Sequence, residues 1–134
     1  VSRDELAKDK DIVGKSVLVV DDNKLNIKVA TRLLEEYGIT VDSCMSGAEC
    51  LEKVKVIKYD LIFMDDMMPK MSGTETFHKL KEDPNFNTPV VVLTANAIAG
   101  MEEKYLSEGF NGYLAKPIER KALDSIINKY LNNE

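Results

Sequence analysis

No stretch of this sequence stays apolar for long enough to cross a bilayer, and no signal-peptide pattern opens it. Membrane contact is not expected. No basic stripe runs through it either: the formal charge is −5, so direct nucleic-acid binding is not expected. Cysteine is scarce. Cys44 and Cys50 have no metal-ligand partners at useful spacing and read as free buried thiols, which suit a reducing cytoplasm. Histidine occurs once, as His78, and reads as a solvent-facing helix residue. The GxxxxGK loop that cradles nucleotide phosphates is missing.

What is present fits one compact domain. The chain has 134 residues and is 44% hydrophobic, enough for an ordinary core without staples. Residues 1–13, VSRDELAKDKDIV, are mostly charged and read as a linker or a short leading helix. The domain proper is expected over 14–134.

From Gly14 onward, strand and helix patterns alternate. SVLVV (16–20) is a β-branched apolar run; Asn23 is placed to cap the helix after it, whose Ile27, Ala30, Leu33 and Leu34 share a face, and Gly38 stops that helix. ITVDSC (39–44) alternates as a half-buried strand does. Ser46 and Glu49 form a capping-box pattern before a helix carrying Ala48, Leu51 and Val54. LIFM (61–64), PVVVL (89–93) and GYLA (112–115) are three more strands. Between them, Phe77 and Leu80 lie on a short helix over 74–81, and Ile98, Met101 and Tyr105 on another. Leu123, Ile126, Ile127, Tyr130 and Leu131 mark a closing amphipathic helix. Five alternations predict an α/β, doubly wound (βα)5 fold with a five-stranded parallel sheet. The alternating second strand suits an edge, which gives the order 2-1-3-4-5.

The polar residues gather at the C-terminal ends of the apolar strands. SVLVV runs into Asp21 and Asp22, LIFM into Asp65 and Asp66, PVVVL into Thr94, and GYLA into Lys116. In a parallel sheet these ends share one edge, and ligands bind there where the strand order reverses. A carboxylate cluster without a cation repels itself. Magnesium takes carboxylate and phosphate oxygens, Lys116 supplies a fixed positive charge and Thr94 a hydroxyl. This set describes phosphoryl transfer to an aspartate. The thioethers of Met67, Met68 and Met71 do not suit magnesium and read as loop packing.

At this point the sequence resembles the receiver domain of two-component response regulators, over roughly 15–132. The resemblance rests on VVDDN, on FMDDMMPKMSG, on VVLTANA, on the Lys116–Pro117 pair of YLAKPI, and on Tyr113 three residues before that lysine. It implies the flavodoxin-like version of the fold. It implies Asp65, four positions before Pro69, as acceptor of phosphate from a phosphohistidine on a histidine kinase or histidine phosphotransfer domain. It implies magnesium, with manganese as a substitute, held directly by Asp22, Asp65 and the Met67 backbone carbonyl and through water by Asp21. Thr94 and Lys116 contact the phosphoryl group; Thr94 and Tyr113 form the switch; the Lys116–Pro117 bond is cis. A homodimer through the fourth helix, fifth strand and fifth helix is a further implication. The domain catalyses only its own phosphorylation and dephosphorylation, while the parent chain is expected to be a hybrid sensor histidine kinase. A stand-alone regulator or a transcription-factor receiver is the alternative.

Departures and rivals are few. Ser72 stands where many members have aspartate, and little consequence is expected. Asp66 has no role to carry over and reads as a solvated or salt-bridged loop charge. FHKLKEDP, around His78, does not resemble a histidine-kinase phosphoacceptor box. A haloacid-dehalogenase-type phosphatase needs a second aspartate where Met67 stands, and a flavodoxin needs a Ser/Thr-rich loop after the first strand.

Overall fold

The computed structural model describes residues 14–95, 101–116 and 118–131. The expectations for residues 1–13, Ile98 and Pro117 lie outside the described residues. Among the described residues five strands alternate with five helices: β1 (Ser16–Val20), α1 (Lys24–Glu35), β2 (Thr40–Cys44), α2 (Gly47–Val56), β3 (Leu61–Asp65), α3 (Gly73–Lys81), β4 (Val90–Thr94), α4 (Met101–Glu108), β5 (Gly112–Ala115) and α5 (Arg120–Tyr130). All neighbouring strands are parallel, in the order β2-β1-β3-β4-β5. This is the flavodoxin-like order that the alternation predicts. Among the described residues no helix is long and apolar enough to cross a membrane.

The pleat of the strands divides the core in two. Val17, Val19, Leu61, Phe63, Val91 and Leu93 point to one face, where they meet Ala30 and Leu34 of α1 and Leu123 and Ile127 of α5. Leu18, Val20, Ile62, Met64, Val90 and Val92 point to the other, against Cys50 of α2, Phe77 and Leu80 of α3, and Tyr105 of α4. Burying each such side chain contributes roughly 1.5–3 kcal/mol. That leaves β1, β3 and β4 held firmly enough to carry polar groups at their ends. β2 is the more exposed edge. Cys44 and Cys50 are free and buried.

Helix ends follow local chemistry. Asn23 Oδ1 accepts from the Leu25 and Asn26 amides at 2.9 and 3.3 Å. Gly38, past the end of α1, has φ +80°, a conformation that costs glycine nothing. Ser46 Oγ accepts from the Glu49 amide at 3.1 Å, but Glu49 Oε1 reaches back to the Met45 amide at 2.7 Å rather than to the cap residue.

Two sequence expectations shift here. In α2, Ala48 is exposed, and the buried positions are Gly47 and Cys50. α2 packs so closely on α3 that a Cβ on Gly47 would come within 2.2 Å of Thr76 Oγ1. The helix therefore turns its glycine inward. Ser72 also has a structural role: it caps α3 in a reciprocal box, accepting from the Glu75 amide at 3.1 Å while Glu75 Oε1 accepts from the Ser72 amide at 3.4 Å.

Candidate functional site

Strand register assembles the site. β1 pairs with β3 through Val20 and Met64, so Asp21, one step on, comes level with Asp65. β3 pairs with β4 through Asp65 and Leu93, and β4 with β5 through Thr94 and Ala115. Lys116 follows directly, its amide donating to the Thr94 carbonyl at 2.9 Å. The sheet edge thus presents Asp21, Asp65, Thr94 and Lys116 side by side at the point where strand order reverses.

Asp21 and Asp65 are 0% and 2% exposed; Asp22 is exposed at the rim. Lys116 Nζ donates to Asp65 Oδ1 at 2.7 Å and lies 3.1 Å from Asp21 Oδ2. The second approach is an ion pair without hydrogen-bond alignment, for Asp21 Oδ2 has no hydrogen-bond partner. Asp21 Oδ1 accepts from the Asn23 amide at 2.9 Å, which ties the acid to the start of α1. A cleft of about 460 Å³ opens between these groups, lined also by Asn26 and Met67.

The electrostatics are unbalanced. Burial pushes the Asp65 carboxyl above its ordinary value of 3.8, and the nearby Asp21 adds to this; Lys116 and the Met67 amide pull the other way without prevailing. Burial disfavours the Lys116 ammonium, but Asp65 and Asp21 outweigh it and hold its pKa up. Burial of the Asp65 carboxyl outweighs the ammonium beside it, and Asp21 adds negative charge to the same pocket. Carboxylate oxygens of Asp21, Asp22 and Asp65 all lie within 4.8 Å of one another, and Asp21 Oδ2 makes no hydrogen bond. An all-oxygen set of this kind fits a hard divalent cation.

The loop from β3 to α3 is tightly built. Met71 donates its amide to the Pro69 carbonyl at 2.7 Å, and Lys70 between them has φ +68°. This is a γ-turn with a non-glycine residue at its strained position. Gly73 then packs on the acceptor strand: a Cβ there would stand 2.3 Å from the Asp65 carbonyl oxygen. Met68 is buried as loop packing requires, but the Met67 side chain is 68% exposed, contrary to its expected packing role.

Asp66 is not the solvated or salt-bridged loop charge that the sequence suggests. Its Oδ1 accepts from Thr74 Oγ1 at 3.2 Å and its Oδ2 from Tyr105 Oη at 2.5 Å. Tyr105 Oη also lies 3.3 Å from Oγ1 of Thr94, which is 1% exposed. The Tyr105 ring stacks on Tyr113 at 6.1 Å. Tyr105 was visible in sequence only as an apolar helix position. His78 stays on the surface as expected, paired with Glu108 at 2.9 Å.

The sequence profile described as "Response regulator receiver domain" matches residues 17–128. The chain belongs to that family. Among the similar proteins, the signal transduction histidine-protein kinase BarA of Escherichia coli (strain K12) is 40% identical over 125 residues, covering 91% of this chain and 13% of BarA. The osmosensing histidine protein kinase SLN1 of Saccharomyces cerevisiae is 35% identical over 128 residues, covering 91% of this chain and 10% of SLN1. The chain therefore spans a small part of each curated relative. The receiver domain of sensor histidine kinase PA1611 from Pseudomonas aeruginosa PAO1 superposes with a TM-score of 0.80 at 31% identity, covering 90% of this chain and 100% of that one; its structure has a magnesium ion coordinated in the active-site cleft. Chemotaxis response regulator CheY4 of Vibrio cholerae gives a TM-score of 0.80 at 26% identity, covering 89% and 100%. The chain is a receiver domain homologous to those of hybrid histidine kinases, a phosphoacceptor class of two-component signalling.

Proposed function

We propose that Asp65 is the residue of this receiver that carries the phosphoryl group. The observation that carries the reading is the approach of Lys116 Nζ to Asp65 Oδ1 at 2.7 Å within a buried acidic cluster. The donor is a phosphohistidine on a histidine kinase or histidine phosphotransfer domain. An Asp65 carboxylate oxygen attacks phosphorus, the phosphorus–nitrogen bond breaks, and the imidazole nitrogen leaves with the electron pair and takes up a proton. Lys116 then shifts its hydrogen bond from the carboxylate to a phosphoryl oxygen. Hydrolysis of the acyl phosphate returns Asp65 and inorganic phosphate.

Asp22, Asp65 and the Met67 carbonyl are the proposed direct ligands of Mg2+, with Asp21 holding it through water; Mn2+ shares the preference for oxygen. When bound, the cation offsets the negative charge of the phosphoryl group. Exposed Leu25 and Val29 on α1, with Met67 across the cleft mouth, offer apolar surface on which the donor protein can sit.

The readout follows from added charge. A phosphoryl group of roughly −1.5 to −2 draws the Thr94 hydroxyl toward it, and Tyr113 turns into the space released. The α4–β5–α5 surface changes, and homodimer formation through that face is one use of it; Leu106 is exposed on α4. Complete switching from 1:99 to 99:1 needs about 5.5 kcal/mol of differential stabilisation. Thr94→Ala is expected to accept phosphate but to couple weakly to its partner; equal partner affinity of phosphorylated wild type and variant contradicts this route.

The relatives support a place within a larger hybrid kinase, and the free buried cysteines a cytoplasmic one. A stand-alone or transcription-factor receiver is the second context. Incubation with acetyl phosphate, followed by intact-mass measurement, tests the chemistry. Loading that requires Mg2+ is expected, and loading unchanged by chelation of the metal contradicts the site.

A further inference from the structure

Asp66 and Tyr105 form a feature that the transfer chemistry does not use. The Tyr105 phenol has one proton and, among the described residues, two oxygen neighbours: Asp66 Oδ2 at 2.5 Å and Thr94 Oγ1 at 3.3 Å. The short contact to a carboxylate takes the proton, because a charge-assisted bond is the stronger of the two. Burial, and then the Asp66 carboxylate, both raise the Tyr105 pKa, so the phenol keeps its proton. Its oxygen is then left as an acceptor toward Thr94 Oγ1, 3.3 Å away, and the contact ties the threonine hydroxyl to the fixed phenol.

The phenol oxygen is held from several sides. Asp66 is anchored by Thr74 Oγ1 at 3.2 Å, by its amide to the Leu93 carbonyl at 3.0 Å, and by its carbonyl to the Gly73 amide at 3.0 Å. The Tyr105 ring lies edge-on to Phe110 at 6.0 Å and stacks on Tyr113 at 6.1 Å. Phe110 in turn stacks on Phe77 at 4.3 Å. Tyr105 Oη therefore cannot follow Thr94 if the threonine turns toward the acceptor. The two positions of the Thr94 hydroxyl compete.

We propose that Tyr105, fixed by Asp66, is a positioning residue that holds the Thr94 hydroxyl away from Asp65 in the resting domain and so limits how readily Asp65 is loaded. This rests on Asp65 as the acceptor. Asp66, adjacent in the chain to that acceptor, thereby links the loaded strand to α4 without touching the phosphoryl group. The latch also shares a wall with Tyr113, so releasing Thr94 and moving Tyr113 are one event.

The test is the rate of loading by acetyl phosphate with Mg2+, read by intact mass on the whole chain. Tyr105→Phe keeps the ring and removes the acceptor oxygen. Its loading is expected to be roughly three- to tenfold faster, the net worth of one hydrogen bond. In a Thr94→Ala background that gain is expected to vanish, which a purely structural effect of Tyr105 would not show. Should Tyr105→Phe fail to fold, Asp66→Ala serves: the phenol loses its anchor and can move with Thr94, loading speeds up, and the gain shrinks in the Thr94→Ala background. Loading of Tyr105→Phe at or below the wild-type rate overturns the proposal, as does a gain undiminished without Thr94. A wild-type chain that takes no phosphate at Asp65 overturns the acceptor reading and this inference with it, whereas normal wild-type loading without the gain overturns this inference alone.

Discussion

Lys116 Nζ reaches Asp65 Oδ1 at 2.7 Å across 51 positions of sequence, and the same ammonium lies 3.1 Å from Asp21 Oδ2. One cation thus sits between two buried carboxylates from separate strands. Removing it leaves both uncompensated. Lys116→Ala is expected to lower stability by about 1–3 kcal/mol in metal-free buffer, measured by urea unfolding, and to slow loading of Asp65 about a hundredfold. A variant as stable as wild type would mean that solvent already screens the cluster.

Burial of Asp65 beside Asp21 also sets a pH dependence. The folded Asp65 carboxyl titrates above its ordinary value of 3.8, so the folded chain holds that proton more tightly than the unfolded chain does. Its contribution to stability is fully present below 3.8 and is lost as pH rises through the raised folded value. Metal-free wild type should therefore lose stability over that interval relative to Asp65→Asn. Mg2+ at neutral pH should raise the wild-type Tm more than that of Asp65→Asn. Parallel stability profiles for the two chains, with and without the metal, would contradict this.

Gly73 is expected to tolerate no side chain. A Cβ would lie 2.3 Å from the Asp65 carbonyl oxygen and 3.0 Å from Asp66 Cα. Either α3 or the acceptor strand must move. Gly73→Ala should cost about 1–3 kcal/mol and also slow loading, since the displaced backbone is that of the acceptor. A loss of stability with loading intact would show that α3 alone yields.

Ser72 separates structure from chemistry. Its side chain caps α3 through the Glu75 amide and does not line the acidic cleft. Ser72→Ala should cost about 1 kcal/mol, seen in thermal unfolding, with the rate of loading unchanged. Ser72→Asp keeps a capping oxygen and should retain stability.

Much of this was legible in the sequence because it is written locally. Apolar runs ending in Asp21, Asp65, Thr94 and Lys116 set both the strands and the edge on which they meet. The Ser72–Glu75 cap is equally local and repeats the Ser46–Glu49 pattern, yet little consequence is expected of Ser72 from sequence. The Asp66–Tyr105 bond is different: 39 positions separate its partners, and no spacing on either element links them. The inward turn of Gly47 likewise depends on how closely two helices approach, which periodicity within one helix does not encode. Met67 is exposed because the loop turns it outward next to buried Met68, a matter of backbone direction after a strand end.

Two adjacent carboxylates end the acceptor strand, so the most direct measurement asks which one takes the phosphate. Wild type, Asp65→Asn and Asp66→Asn are each incubated with acetyl phosphate and Mg2+ and weighed intact. Loading of wild type and Asp66→Asn, with none of Asp65→Asn, is the expected result. Loading of Asp65→Asn to the wild-type extent would contradict the account.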